Sequence, residues 1–279
     1  MSNAKQIVGL AAAMLIGVSG AAHAGLQEVS IFNNIVYDQN SGAGPTGPGF
    51  YFFNIGGVVQ QVGDFDSVTA TYPGAASPVD LTPTINGLSF GIASSFSTPA
   101  ALASAYPFGT YAITATNSVT SSTQSSSISY VADHFTTAVP TVGAELFSGF
   151  DPSQDFHLTV NAFIPEAGST EGFGFFNVFD DATGTLVFGA NFLSPTTLGI
   201  DIPANTLSAT KTYRVEFDFS DRVNEISAGV PTFQGFDVRT VGKFTTGAVA
   251  VSVPEPGSWG LMLAGLGFVG SALRLRRKA

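Results

Sequence analysis

Few residues in this chain have the chemistry for catalysis. No cysteine occurs among its 279 positions, which excludes thiolate nucleophiles and cysteine-ligated metals. Of the three histidines, His23 lies in the leading segment. His134 and His157 stand far apart, and neither has the H-E-x-x-H spacing of a zinc site. Glycoside hydrolysis needs two carboxylates on either side of a sugar bond. Glu145, Glu166, Glu171, Glu216 and Glu225 are available, most of them beside turns, where an acid ordinarily only solvates the surface.

Binding chemistry has more to draw on. Calcium takes loop carboxylates and backbone carbonyls. The candidate ligands are Asp180 with Asp181, Asp151 with Asp155, and the pair Asp64 and Asp66. None follows the EF-hand spacing, and Asp180-Asp181-Ala182-Thr183-Gly184 reads equally well as a hairpin turn. No other cofactor is suggested. For carbohydrate, exposed aromatic rings would be required, and Tyr37, Phe50, Tyr51, Tyr72 and Tyr106 lie near loops. Core packing is the alternative for each. The single Trp, Trp259, is outside the body of the chain. Gly42 to Gly47 fits G-x-G-x-x-G, but Pro48 and an aromatic run follow in place of a helix, so it is a surface loop.

The elements that position these residues are strands. Short runs rich in Val, Ile, Thr, Tyr and Phe recur between Gly, Pro, Asn, Asp and Ser clusters. Strands are predicted at 28–32, 50–55, 67–72, 77–81, 88–93, 109–116, 156–163, 172–179, 185–188, 214–219 and 235–244, with a helical turn at 97–106. The stretch 117–129 is either a solvated strand pair or a linker, and a module boundary is expected near it. The fold class is all-β, as one or two antiparallel β-sandwich modules. Two tandem modules, 25–130 and 131–250, are the first expectation; a single larger jelly-roll-like sandwich is the other.

The two ends differ in kind from this body. Residues 1–24 have a basic Lys5, an apolar run from 7 to 18, and Ala22-His23-Ala24, an A-x-A site that places cleavage before Gly25. This is a secretory signal helix read by the Sec machinery. At the other end, Val253-Pro254-Glu255-Pro256 precedes an uncharged stretch, 257–273. At 1.5 Å per residue it spans roughly 25 Å as a helix, enough for a thin bilayer. Arg274, Arg276, Arg277 and Lys278 follow and fix that end on the cytoplasmic side of the inner membrane.

Between these ends the charge is lopsided. The whole chain has a net charge of −10, and no Lys or Arg occurs from Gly25 to Thr210. Such a surface repels nucleic acid, which excludes that partner. An exported protein without disulfides must rely on its hydrophobic core, and 25 Phe supply one.

The tail from 253 to 279 resembles the PEP-CTERM sorting signal of Gram-negative bacteria. The matching parts are Val253-Pro254-Glu255-Pro256, the Gly-rich span with Gly265, Gly267 and Gly270, and the basic end. Tails of this kind are also named ice-binding protein C-terminal domains, a label for the sorting tail that does not imply ice binding. The resemblance implies recognition by an exosortase, a membrane transpeptidase, with processing near the Pro-Glu-Pro. It also implies delivery to the cell surface or an exopolysaccharide matrix, with the inner membrane as a transient anchor. A second resemblance is local. Leu207, six residues before Tyr213, is similar to the tyrosine corner of fibronectin III and immunoglobulin-like domains, where the Leu is in the core and the Tyr hydroxyl bonds back to the backbone. Leu102 and Tyr111 form a looser echo. The expectation is a non-enzymatic structural or adhesive surface protein of a biofilm matrix. Carbohydrate binding to extracellular polysaccharide is the alternative, and glycoside hydrolysis a third.

Overall fold

The computed structural model describes residues 25–84 and 86–249. The signal helix, the Ala22, Ala24 and Gly25 cleavage site apart from Gly25 itself, and the whole 253–279 tail lie outside the described residues. Among the described residues no helix is long and apolar enough to cross a membrane.

The first half supplies β1 (Leu26–Asp38), β2 (Thr46–Val59), β3 (Ser67–Thr71), β4 (Val79–Asp80), β5 (Thr82–Pro83) and β6 (Ser89–Phe96). A short helix, α1 (Pro99–Ala105), is followed by the hairpin β7 (Gly109–Asn117) and β8 (Ser122–Tyr130). Thr98 caps α1 by accepting the Ala101 N–H, and Pro99 starts it where no N–H is needed. The second half supplies β9 (Phe156–Thr159), β10 (Glu171–Asp180), β11 (Leu186–Leu193), β12 (Gly199–Ile202), β13 (Thr212–Ser227) and β14 (Val230–Thr245).

Eight of these strands form one sheet in the order β11-β10-β13-β14-β1-β2-β6-β5. A four-stranded sheet, β4-β3-β7-β8, and the pair β12-β9 complete the fold. Nearly every ladder is antiparallel, but β1 pairs with β14 in parallel from Val29↔Thr232 to Asp38↔Val241. The antiparallel expectation therefore fails at the centre of the sheet. A parallel pair needs a long crossover, and here nearly the whole chain between the two strands provides it. Hydropathy carries no sign of this pairing, because both strands alternate in the same way whichever direction their neighbour runs.

Two cores lie on one side of the large sheet. In the first, Ile31, Phe53 and Ile55 meet Val68, Ala70, Tyr111, Ile113 and Ile128 of the four-stranded sheet. In the second, Phe176, Val178, Val215, Phe217 and Phe219 meet Leu158, Val160, Phe163, Ile200 and Ile202. The first core also takes in Val230 and Phe236 from β14, and β1 is seated between β14 and β2 in the large sheet.

Between the cores the chain crosses the sheet without strand pairing, and polar side chains of the sheet take up its backbone groups. Gln39 donates to Val142 O at 2.8 Å and accepts the Val142 N–H at 3.1 Å. Thr240 Oγ1 donates to Pro140 O at 2.6 Å. Asn33 Nδ2 donates to Tyr130 Oη and to Asp133 Oδ1, each at 3.0 Å. Gln39 and Thr240 thus partner backbone groups of Val142 and Pro140, on a segment whose one bridge is Val142↔Val160, and Asn33 holds the side chains of Tyr130 and Asp133.

Other differences have local causes. The stretch 117–129 is a turn and a strand, with Ser126, Ile128 and Tyr130 buried and its other hydroxyls outward, so it is not a linker. The strand expected through 163 stops at Thr159, because the Asn161 side chain bonds Thr141 N and Val139 O. β13 and β14 each reach 16 residues, about 50 Å, well beyond the apolar runs that mark them in the sequence.

Candidate functional site

Each core carries a tyrosine corner. Tyr213 is buried, and its Oη accepts the Ser208 N–H at 2.7 Å, five residues upstream. Leu207 is buried beside it in the second core. In the first core, Tyr111 Oη donates to Pro107 O at 2.8 Å. Burial raises the Tyr111 phenol far above its ordinary pKa, so the hydroxyl keeps the proton that it donates. Both corners fix the entry to the long strand that follows.

The acidic candidates are already engaged. Asp180 Oδ2 meets Lys211 Nζ at 2.5 Å, and its Oδ1 accepts the Ala182 N–H at 3.0 Å. The hydrogen bond from Lys211 holds the Asp180 carboxyl below the usual carboxylate range. Asp181 pairs with Lys243 at 2.8 Å. Two lysines thus supply the counter-charge that calcium would bring. Asp151 accepts the Ser153 N–H at 2.9 Å and Asp155 the Ala204 N–H at 2.8 Å, both shaping turns. Asp64 bonds Gln61 N, and Asp66 bonds the Ser118 hydroxyl and N–H. Among the described residues no three His, Asp or Glu side chains gather closely enough to hold a metal.

The histidines form separate pairs. His134 Nδ1 lies 2.6 Å from Glu166 Oε2, and His157 Nδ1 lies 2.6 Å from Asp201 Oδ1 on the open surface. Glu145 accepts the Thr159 N–H, Glu171 accepts from Asn224, and Glu216 pairs with Arg214. Gly87-Leu88-Ser89-Phe90-Gly91 fits the G-x-S-x-G pattern. Ser89 opens β6 out of a turn and has no strand-to-helix elbow around it. Of the aromatic candidates, Tyr106 is buried and stacked on Phe53 at 4.3 Å, and Tyr72 stacks on Tyr111 at 5.5 Å. Tyr51 packs on the first core, while Tyr37 and Phe50 are half-buried.

The chemically dense surface is one that the motifs do not mark: the face of the large sheet turned away from both cores. Alternation along β13 and β14 places Arg214, Glu216, Asp218, Asp237 and Arg239 there. Arg239 Nε lies 2.6 Å from Asp218 Oδ1, and Arg239 Nη1 lies 3.7 Å from Glu216. Burial raises the Asp218 carboxyl to about 6 against the opposing pull of Arg239, and burial raises Asp237 too. Aromatic rings wall this ladder. The Arg222 guanidinium lies over Phe173, Phe233 and Phe32 at 4.7, 4.9 and 5.9 Å. Phe192, 48% exposed, packs against Phe173 and Phe175. A Cβ at Gly235 would come within 2.4 Å of the Phe32 ring, so glycine is what lets that ring lie flat. Period-two alternation in 214–222 was the available signal, but it gives no sign that a charged face would be enclosed by phenylalanines.

A shallow groove of about 390 Å³ opens at the end of the sheet where β14 stops, lined by Asn40, Ser148, Gly149, Thr212, Lys243 and Thr245 among others.

Among curated proteins the chain finds no match. Among solved structures it is similar to the FN1–FN3 domains of chicken CNTN1, with 9% identity and a TM-score of 0.27, over 73% of this chain and 64% of that one. It is also similar to trypsin-activated alpha-2-macroglobulin from Escherichia coli, with 9% identity and a TM-score of 0.22, over 78% of this chain and 15% of that one. The chain therefore spans under two thirds of the first and a small part of the second. Residues 252–278 match the PEP-CTERM protein-sorting motif, so this chain carries the tail that exosortase recognises, the mark of a protein exported to the cell surface or beyond.

Proposed function

We propose that the chain is a non-enzymatic structural or adhesive component of an exopolysaccharide layer, delivered there by exosortase. The match of residues 252–278 to the sorting motif carries this reading. The body fits such a role. It is acidic, free of cysteine and built on one broad sheet. His134 with Glu166, His157 with Asp201, Asp180 with Lys211 and Asp181 with Lys243 are held in pairwise contacts that stabilise turns and strands. Fractionation of a producing host with and without exosortase tests the delivery. The protein should reach the outer surface or matrix only when the enzyme is present, and equal retention in the inner membrane in both strains would overturn the reading. Release of reducing sugar from matrix polysaccharide by the purified protein would overturn the non-enzymatic part.

Carbohydrate binding is the second reading, and the outward aromatic face favours it. Phe192, 48% exposed and supported by Phe173 and Phe175, offers a ring face to a sugar chain. Retention on matrix polysaccharide that falls on Phe192→Ala would support this reading; no retention of the wild-type protein would remove it.

A further inference from the structure

The last strand is tied down beyond its own end. Thr246 Oγ1 donates to Ser208 O at 2.6 Å and accepts the Lys211 N–H at 3.1 Å. Gly247 N donates to Phe150 O at 2.8 Å, and Gly247 O accepts the Thr210 N–H at 3.1 Å. A Cβ at Gly247 would lie 2.1 Å from Gly149 O, so the two segments are in close contact. The folded body therefore reaches position 247.

Pro254 follows after only residues 248–253. Seven Cα steps span at most about 25 Å when fully extended. A compact body of this length has a radius of gyration of about 17 Å. The tether is thus little longer than the body's own radius. An enzyme holding the Pro-Glu-Pro in its active site therefore has the body within about 25 Å, and the end of the sheet where β14 stops is the part tethered nearest to it.

That end is shaped. The groove bordered by Asn40, Ser148, Gly149, Thr212, Lys243 and Thr245 opens there. Lys243 and Lys211 stand at this end with Asp181 and Asp180 as partners. Because each lysine is matched by an aspartate, the end has no surplus positive charge with which to hold an anionic lipid surface. A polar, charge-balanced groove suits a protein surface instead. Resting on the sorting role above, we propose that this end face docks on the exosortase while the motif is processed, so that the enzyme reads a folded surface as well as the Pro-Glu-Pro.

The test uses the full chain in an exporting host that carries the exosortase, with tail removal followed by pulse-chase and mass. Ser148→Arg and Thr245→Arg fill the groove at exposed positions. A 20-residue Gly/Ser insertion after Val249 releases the tether. If docking adds to recognition, each groove variant slows processing about five-fold with an unchanged unfolding midpoint. The insertion slows it by a similar factor, and the groove variants then have no further effect. Processing of the groove variants at the wild-type rate, or faster processing of the inserted chain, would overturn docking. Glu255→Ala serves as the separate control. If its tail is removed as fast as that of the wild type, the sorting role itself fails, whatever the groove variants do.

Discussion

At the residue scale, the two corner tyrosines make matched predictions. Tyr213→Phe removes the acceptor for the Ser208 N–H, and Tyr111→Phe removes the donor to Pro107 O. Each should cost about 1 kcal/mol in urea unfolding, with the packing of the ring retained. Asp221 makes a prediction about pH. It is fully buried, accepts the Glu166 N–H at 3.1 Å, and its carboxyl is raised by burial to about 6. A raised folded-state pKa means that the folded form binds the proton more tightly than the unfolded one. Stability from this group therefore rises as pH falls from above 6 towards the ordinary value of 3.8. Asp218 acts in the same direction, while Asp180 and Glu166, both held low, lose stability at still lower pH. The unfolding midpoint should peak at about pH 4. Asp221→Asn should flatten the slope between about pH 4 and 6 and stabilise the protein at neutral pH by about 1 kcal/mol. A steeper slope in that variant would contradict the assignment. Calcium should leave the unfolding midpoint unchanged, because Lys211 and Lys243 already occupy Asp180 and Asp181.

At the element scale, the crossing segment between the cores depends on side chains standing in for a strand. Gln39→Ala would leave both the N–H and the C=O of Val142 without partners in a buried setting. A loss of about 2 kcal/mol in denaturant unfolding is expected, more than a surface Gln would give. Strand β14 depends on a missing side chain. Gly235→Ala places a methyl against Phe32 and should cost about 1–3 kcal/mol as the ring is displaced from Arg222.

At the scale of the whole molecule, two cores on one sheet should behave as one cooperative unit. β1 has β14 on one side and β2 on the other, the first core takes in Val230 and Phe236 from the second half of the chain, and without the first half the β14 edge has no partner. Urea unfolding followed by tyrosine fluorescence and by circular dichroism should give coincident single transitions. Residues 25–130 and 131–249 produced separately should each expose a long unpaired edge and aggregate, whereas co-expression should recover soluble protein. Two independent transitions would show that the cores fold separately after all.

Several features of this protein were set by local sequence and needed no tertiary structure to be read. The sorting segment depends on charge, apolar length and proline, and those properties act over a few residues. The strand content, the α1 cap and the Leu207–Tyr213 corner are local too, because alternation, Thr-Pro and a six-residue spacing each constrain the adjoining backbone. What only the tertiary structure decided is long-range. The pairing of β1 with β14 joins residues about 200 positions apart, and backbone hydrogen bonds that any residue can make do not record their partner in the sequence. Asp180 and Asp181, two of the acids that looked like ligands, became ion-pair partners once folding brought Lys211 and Lys243 to them. Asp218 and Asp237 are buried on the sheet face turned away from both cores, where strands from both halves of the chain also bring Phe32, Phe173 and Phe233 round Arg222.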